Sequence, residues 1–140
     1  MTTKVLLRIA AVLLVIHTLG HLMGHLGWDK PEDKKMQAVV DAMHSYSAAF
    51  MGAHKSMADY YNGYSLMMFG LFGMTISLLW ILSIDAEKQM NIVRRLLYPV
   101  AIAYLFFGAI EFGYFFPFAG AISSLVGLLV LTAAIRLSVK

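Results

Sequence analysis

Four long apolar stretches, separated by polar ones, run along this chain of 140 residues. Each stretch is roughly 20 residues long, which at about 1.5 Å per helical residue is enough to cross the hydrocarbon core of a bilayer. The pattern therefore predicts an all-α integral membrane four-helix bundle that forms a single transmembrane domain. The predicted spans are residues 5–26, 60–84, 96–116 and 118–137.

The longest polar stretch lies between the first and second spans. It opens with Pro31 and two acidic residues, which is typical of a helix start. Apolar residues then recur at helical spacing. We therefore expect an additional amphipathic external helix within residues 31–55, lying at the membrane surface or over the bundle. The apolar positions are Met36, Val39, Val40, Met43, Tyr46 and Phe50.

Composition supports the membrane interpretation. Hydrophobic residues make up 60% of the chain and charged residues only 14%, against about 25% charged in a typical soluble domain. The absence of cysteine excludes disulfides, thiolate metal sites, iron–sulfur clusters and c-type haem attachment. No small-x-small cleavage pattern follows the first apolar run, so we interpret it as a transmembrane helix rather than a signal peptide.

The distribution of basic residues predicts the orientation. An even number of spans places both termini on one side, and lysine and arginine accumulate on the cytoplasmic side. Seven basic residues fall on the side of the termini and four on the other. We therefore expect a multi-pass protein of the inner (plasma) membrane with cytoplasmic termini. The net charge is small, +3, and the basic residues flank the apolar spans. We therefore predict the lipid bilayer as a partner and no binding to nucleic acid.

Three histidines end the first apolar stretch at a spacing of four residues. His17, His21 and His25 would form one slowly drifting stripe on a helix. Imidazoles are costly in hydrocarbon, so three on one face require a polar partner, a metal ion or a water-filled cavity. Gly20 and Gly24 form a small-xxx-small pair that would let a neighbouring helix approach this face.

One carboxylate, Glu111, lies inside the third predicted span. The predicted topology places it at about the depth of His21, in the outer third of the bundle. Histidine and carboxylate are common ligands of zinc, iron and copper, so we expect a divalent transition-metal site. The expected ligands are His21, His25 and Glu111, with His17 and His54 next. For a catalytic site we expect Glu111 and Asp59 as the acid–base groups, with Asp59 also able to orient a ligating histidine.

The spacing His21-x-x-x-His25 resembles the first histidine box of the membrane fatty-acid desaturases and hydroxylases. A metal ion held by His21, His25 and Glu111 could activate water or oxygen against a lipid-like or small hydrophobic substrate, so the leading prediction is a metal-dependent membrane hydrolase or oxidoreductase. The desaturase and hydroxylase families also carry His-x-x-His-His boxes, which this chain lacks. The resemblance therefore does not assign the activity of these families to this chain.

Other functions fit the same residues. A b-type haem protein, exchanging electrons with a quinone, would bind its cofactor at His17, His54 and Tyr64. Its axial ligand opposite the histidine stripe would be His54, His44 or a methionine. A proton- or cation-coupled transporter would use Glu111 as the coupling carboxylate. Phenylalanine- and glycine-rich spans would also suit an accessory subunit of a homo-oligomer or a larger membrane complex.

Overall fold

The computed structural model describes residues 1–138. Over these residues the chain forms five helices and one β-hairpin. The elements in chain order are α1 (Thr3–Gly27), α2 (Lys34–Ser45), β1 (Ser47–Phe50), β2 (Ala53–Ser56), α3 (Met57–Asp85), α4 (Met90–Tyr114) and α5 (Pro117–Arg136).

Four of these helices, α1, α3, α4 and α5, are long and apolar enough to cross a membrane. The prediction of an all-helical membrane protein is confirmed at this level. The largest difference in bounds is at α4, which begins at Met90 rather than at residue 96. The predicted span begins just after Arg94 and Arg95, which the structure includes in the helix. Arginine is a good helix former whose apolar stem can lie along a helix while its charge reaches water.

The segment between α1 and α3 differs from the prediction. A helix is present, but it ends at Ser45, and the rest of the segment is a two-stranded antiparallel hairpin. Asp33 caps α2 by accepting hydrogen bonds from the backbone N–H groups of Lys35 and Met36. The spacing of Tyr46 and Phe50 fits a helix, but it also fits one face of a strand, where side chains alternate.

The hairpin turn is formed by Met51 and Gly52. Both have positive φ angles, 49° and 83°, as the twist of a tight two-residue hairpin turn requires. Phe50 pairs with Ala53, and Ser47 pairs with Ser56 at the other end. Ser56 and Asp59 then exchange hydrogen bonds: the Ser56 N–H donates to Asp59 Oδ2, and the Asp59 N–H donates to Ser56 Oγ. The hairpin is thereby joined to the first turn of α3.

The chain divides into two compact units. The first comprises Met1–Thr18 and the chain from Phe72 onward. Within it α4 and α5 pack closely, because glycines occupy their contact points. A Cβ atom built at Gly127 would lie 2.9 Å from the backbone nitrogen of Leu105. Arg8 lies over the ring of Trp80, 4.8 Å from its centre.

The second unit, Leu19–Leu71, contains the end of α1, α2, the hairpin and the beginning of α3. Trp28 contacts residues of both α2 and α3 within this unit. The Trp28 indole N–H donates to Asn62 Oδ1 at 3.0 Å, and its ring contacts Tyr61 and stacks on His44. The segment after α1 is therefore attached to α2 and to the beginning of α3.

Candidate functional site

An imidazole and a carboxylate meet inside the first unit. His17 Nε2 lies 3.5 Å from Glu111 Oε1, and the two side chains are only 8% and 13% exposed. His17 comes from α1, and Glu111 from the last turn of α4, three residues before its end at Tyr114. Both residues are on helices of membrane-spanning length, where ionisable groups are rare and usually functional.

Aromatic and hydroxyl side chains surround this pair. The His17 ring packs against Phe72, with ring centres 4.9 Å apart. Tyr104, two helical turns before Glu111 on the same face of α4, is 2% exposed and lies within electrostatic reach of Glu111. The Thr75 side chain is beside the Tyr104 hydroxyl. The pair therefore sits among apolar rings with a few hydroxyl groups nearby.

The other two histidines of the stripe meet one serine in the second unit. His25 Nδ1 lies 2.9 Å from Ser65 Oγ, and His21 Nε2 lies 3.1 Å from the same oxygen. His21 Nε2 is also 3.0 Å from the Ser65 backbone carbonyl oxygen. Ser65 is 7% exposed. Two imidazole nitrogens thus converge on one buried hydroxyl of α3.

The contact between His21 Nε2 and the Ser65 carbonyl oxygen indicates which atoms donate and which accept in these hydrogen bonds. A carbonyl oxygen only accepts, so His21 Nε2 must carry the proton that it shares with Ser65. Ser65 Oγ can then accept from His21 Nε2, and it donates to His25 Nδ1 when that nitrogen carries no proton or accepts from it when it does. Phe69, one turn further along α3, packs edge-on against both imidazole rings. This arrangement holds both rings in fixed orientations.

The other predicted site residues are Asp59, His54 and Tyr64, and each has contacts or exposure of its own. Asp59 lies in the first turn of α3, where its carboxylate accepts from the Ser56 N–H and its own N–H donates to the capping Ser56 hydroxyl. His54 is exposed on β2, opposite Ala49. Tyr64 is 66% exposed on α3. The structure thus brings together His17 with Glu111, and His21 with His25. Within residues 1–138, no three histidine, aspartate or glutamate side chains are grouped to hold a metal ion.

Ser65 and Phe72 are the contact residues that sequence reasoning missed. Ser65 lies within the second predicted span and the sequence does not single it out. A hydroxyl inside such a span commonly forms hydrogen bonds to a neighbouring helix. A helical serine 40 residues from His25 carries no spacing signal to link the two. Phe72 was one of nine phenylalanines in the chain, so composition did not single it out.

Comparison of the chain with protein-family models, with curated protein sequences and with solved structures gave no significant match.

Proposed function

We propose that this chain is a small proton- or cation-coupled membrane protein in which Glu111 carries the exchangeable proton and His17 is its partner. The observation that supports the proposal is the approach of His17 Nε2 to Glu111 Oε1, at 3.5 Å, with both side chains largely buried. The proposal covers a transporter and an accessory subunit of one equally, because both would use the same proton-binding pair.

The charge of the pair depends on how many protons it holds. A neutral imidazole beside a carboxylate has one negative charge in total. One additional proton makes the pair neutral, either as imidazolium and carboxylate or as imidazole and carboxylic acid. Losing that proton leaves a buried negative charge, which is expensive in a low-dielectric interior unless a cation replaces it. A proton and a small cation would therefore compete for this position, which is the requirement for coupled exchange.

Infrared difference spectroscopy of the protein in liposomes tests this proposal directly. A protonated carboxyl group has a C=O stretching band that vanishes on ionisation. We expect a pH-dependent band of this kind in the wild type and its loss in Glu111→Gln. The band should shift but persist in His17→Gln, because the carboxyl group remains while its partner changes.

Asp41→Asn is the matched control, since Asp41 is an exposed carboxylate on α2. Its removal should leave the Glu111 band unchanged. The proposal is rejected if the wild type and Glu111→Gln give the same difference spectrum over the whole pH range in which the protein stays folded. Such a result would mean that Glu111 does not exchange a proton and that its contact with His17 is purely structural.

A metal-binding function is the second candidate, and the observation that favours it is the convergence of His21 and His25 on Ser65 Oγ. Two imidazoles at positions i and i+4 can bind one ion from a single helical turn. Here the ion would replace the hydrogen bonds to Ser65 Oγ: His21 would bind it through Nε2 in the tautomer that carries its proton on Nδ1, His25 would bind it through Nδ1, and water would complete the coordination. Copper and zinc accept imidazole ligands of this kind.

Elemental analysis of the purified protein, with its visible spectrum, tests this candidate. We expect about one equivalent of metal per chain, the number that a single two-histidine site would hold. The metal should be lost in His21→Gln and in His25→Gln and retained in His54→Gln, whose imidazole is on the hairpin. Metal-free wild-type protein after loading with zinc or copper would refute it. A Soret band would instead support the haem alternative.

A further inference from the structure

The two faces of the β-hairpin differ in character. Side chains alternate along a strand, and paired residues share a face. Residues Ala48 and Phe50 of β1, with their partners Lys55 and Ala53 of β2, therefore lie on one face. Ala49 and Ser47, with His54 and Ser56, lie on the other. We call the first the apolar face. Tyr46, extended and two residues before Ala48, continues it.

The apolar face and the turn are open to their surroundings. Phe50 is 67% exposed, Tyr46 72% and Met51 90%. On the opposite face, Ser56 is buried where the hairpin joins α3. Ser56, which attaches the hairpin to α3, is the only buried residue of the two strands, and it lies on the face opposite Phe50.

The turn contains an unusual residue. Met51 has a φ of 49°, in the left-handed region where asparagine and glycine are favoured and a long unbranched side chain is uncommon. Asparagine before Gly52 would suit this turn better. The chain instead places a methionine there and exposes nearly all of it. An apolar environment at the turn would account for both features.

That environment is close by. β2 ends at Ser56, and α3, which is long and apolar enough to cross a membrane, begins at Met57. At about 3.3 Å per residue, the six steps from Met51 to Met57 place the turn within roughly 20 Å of the first residue of α3. The reciprocal bonds between Ser56 and Asp59 make this junction short and defined. The turn is therefore held close to the start of an apolar helix of membrane-spanning length.

We propose that the hairpin is a membrane-dipping element whose apolar face and Met51 turn insert into the interfacial layer of the same bilayer that α3 crosses. Phe50 and Met51 enter the acyl boundary. Tyr46 and Lys55 stay at the level of the lipid headgroups, where aromatic and long basic side chains are favoured. The partner of this surface is therefore lipid, and the ammonium group of Lys55 faces the phosphates.

A single-cysteine fluorescence experiment tests the proposal, since the chain has no cysteine of its own. Ala48→Cys and Ala49→Cys are a matched pair, because the two alanines are adjacent, exposed and on opposite faces. Met51→Cys probes the turn, and Lys35→Cys on α2 provides an exposed reference. Each variant is labelled with an environment-sensitive dye and reconstituted in phosphatidylcholine–phosphatidylglycerol vesicles. Quenching by spin-labelled lipid is compared with quenching by aqueous iodide.

We expect labels at positions 48 and 51 to be quenched several-fold more by spin-labelled lipid than labels at 49 and 35, and to be protected from iodide. Labels at 48 and 51 that respond to iodide as strongly as the label at 35 would place the hairpin in water and overturn the proposal. Protection from both quenchers would also overturn it, because it would indicate that another protein chain covers this face.

A second variant separates insertion at the turn from general proximity to the bilayer. Met51→Asn should favour the left-handed turn, so that the hairpin still forms, while removing the apolar side chain. In this background the label at position 48 should become less accessible to spin-labelled lipid and more accessible to iodide. Unchanged quenching at position 48 would refute a role for Met51 in insertion. None of these measurements depends on protonation of Glu111.

Discussion

At the residue scale, the acid and the histidines were recognisable from sequence, but their partners were not. An intramembrane glutamate is conspicuous, and so is a stripe of three imidazoles. From depth alone, the prediction groups Glu111 with His21 and His25 first, and with His17 and His54 next. The structure pairs Glu111 with His17 and pairs His21 and His25 with Ser65. Residues four apart on a helix differ by about 40° in direction around the helix axis. Depth in the membrane alone therefore does not identify which side chains are in contact.

Glycine is another residue whose role only the structure reveals. Eleven glycines are spread along the chain, and Gly20 and Gly24 attracted attention through their spacing. A Cβ atom at either position would meet nothing within 4 Å. A Cβ at Gly127, in contrast, would lie 2.8 Å from Leu105 Cγ and 2.9 Å from its backbone nitrogen. The close approach of helices is therefore between α4 and α5.

Gly127→Ala should consequently destabilise the protein. The added methyl group meets backbone as well as side chain, so α5 must move away from α4, and overpacking of this kind costs about 1–3 kcal/mol. Thermal unfolding in detergent, followed by circular dichroism, measures the effect.

Gly113→Ala on α4 is the control, because a Cβ there has open space and alanine is the better helix former. It should unfold at the wild-type temperature or above. Equal stability of the two variants would show that the α4–α5 contact tolerates an extra methyl group.

At the element scale, length and hydropathy predicted the long helices well and the short elements poorly. A stretch of 20 apolar residues has few alternatives in a bilayer, since the backbone must satisfy its own hydrogen bonds. The segment 31–55 has no such constraint. Its apolar spacing fitted a helix, yet the second half forms a hairpin around Met51 and Gly52. Strand pairing depends on a partner several residues away, which helical periodicity does not detect.

At the scale of the whole molecule, four helices are long and apolar enough to cross a membrane, and four crossings predict that both termini lie on the same side. The excess of basic residues near the termini predicts that this side is cytoplasmic. An impermeant maleimide applied to intact cells tests this orientation. It should label Lys35→Cys and leave Ser138→Cys unlabelled until the cells are opened. The reverse labelling would invert the orientation, and labelling of both or neither would contradict an even number of spans.

The sequence by itself determined that this chain is a helical membrane protein with four spans, because burying a backbone in lipid leaves few other solutions. It also identified Glu111 and the histidine stripe, because ionisable groups in apolar stretches are conspicuous. Only the tertiary structure decided that His17 is the partner of Glu111, that Ser65 joins His21 and His25, and that a hairpin precedes α3. Those contacts join residues distant in sequence, and they depend on helix rotation and side-chain reach, which a linear pattern does not encode.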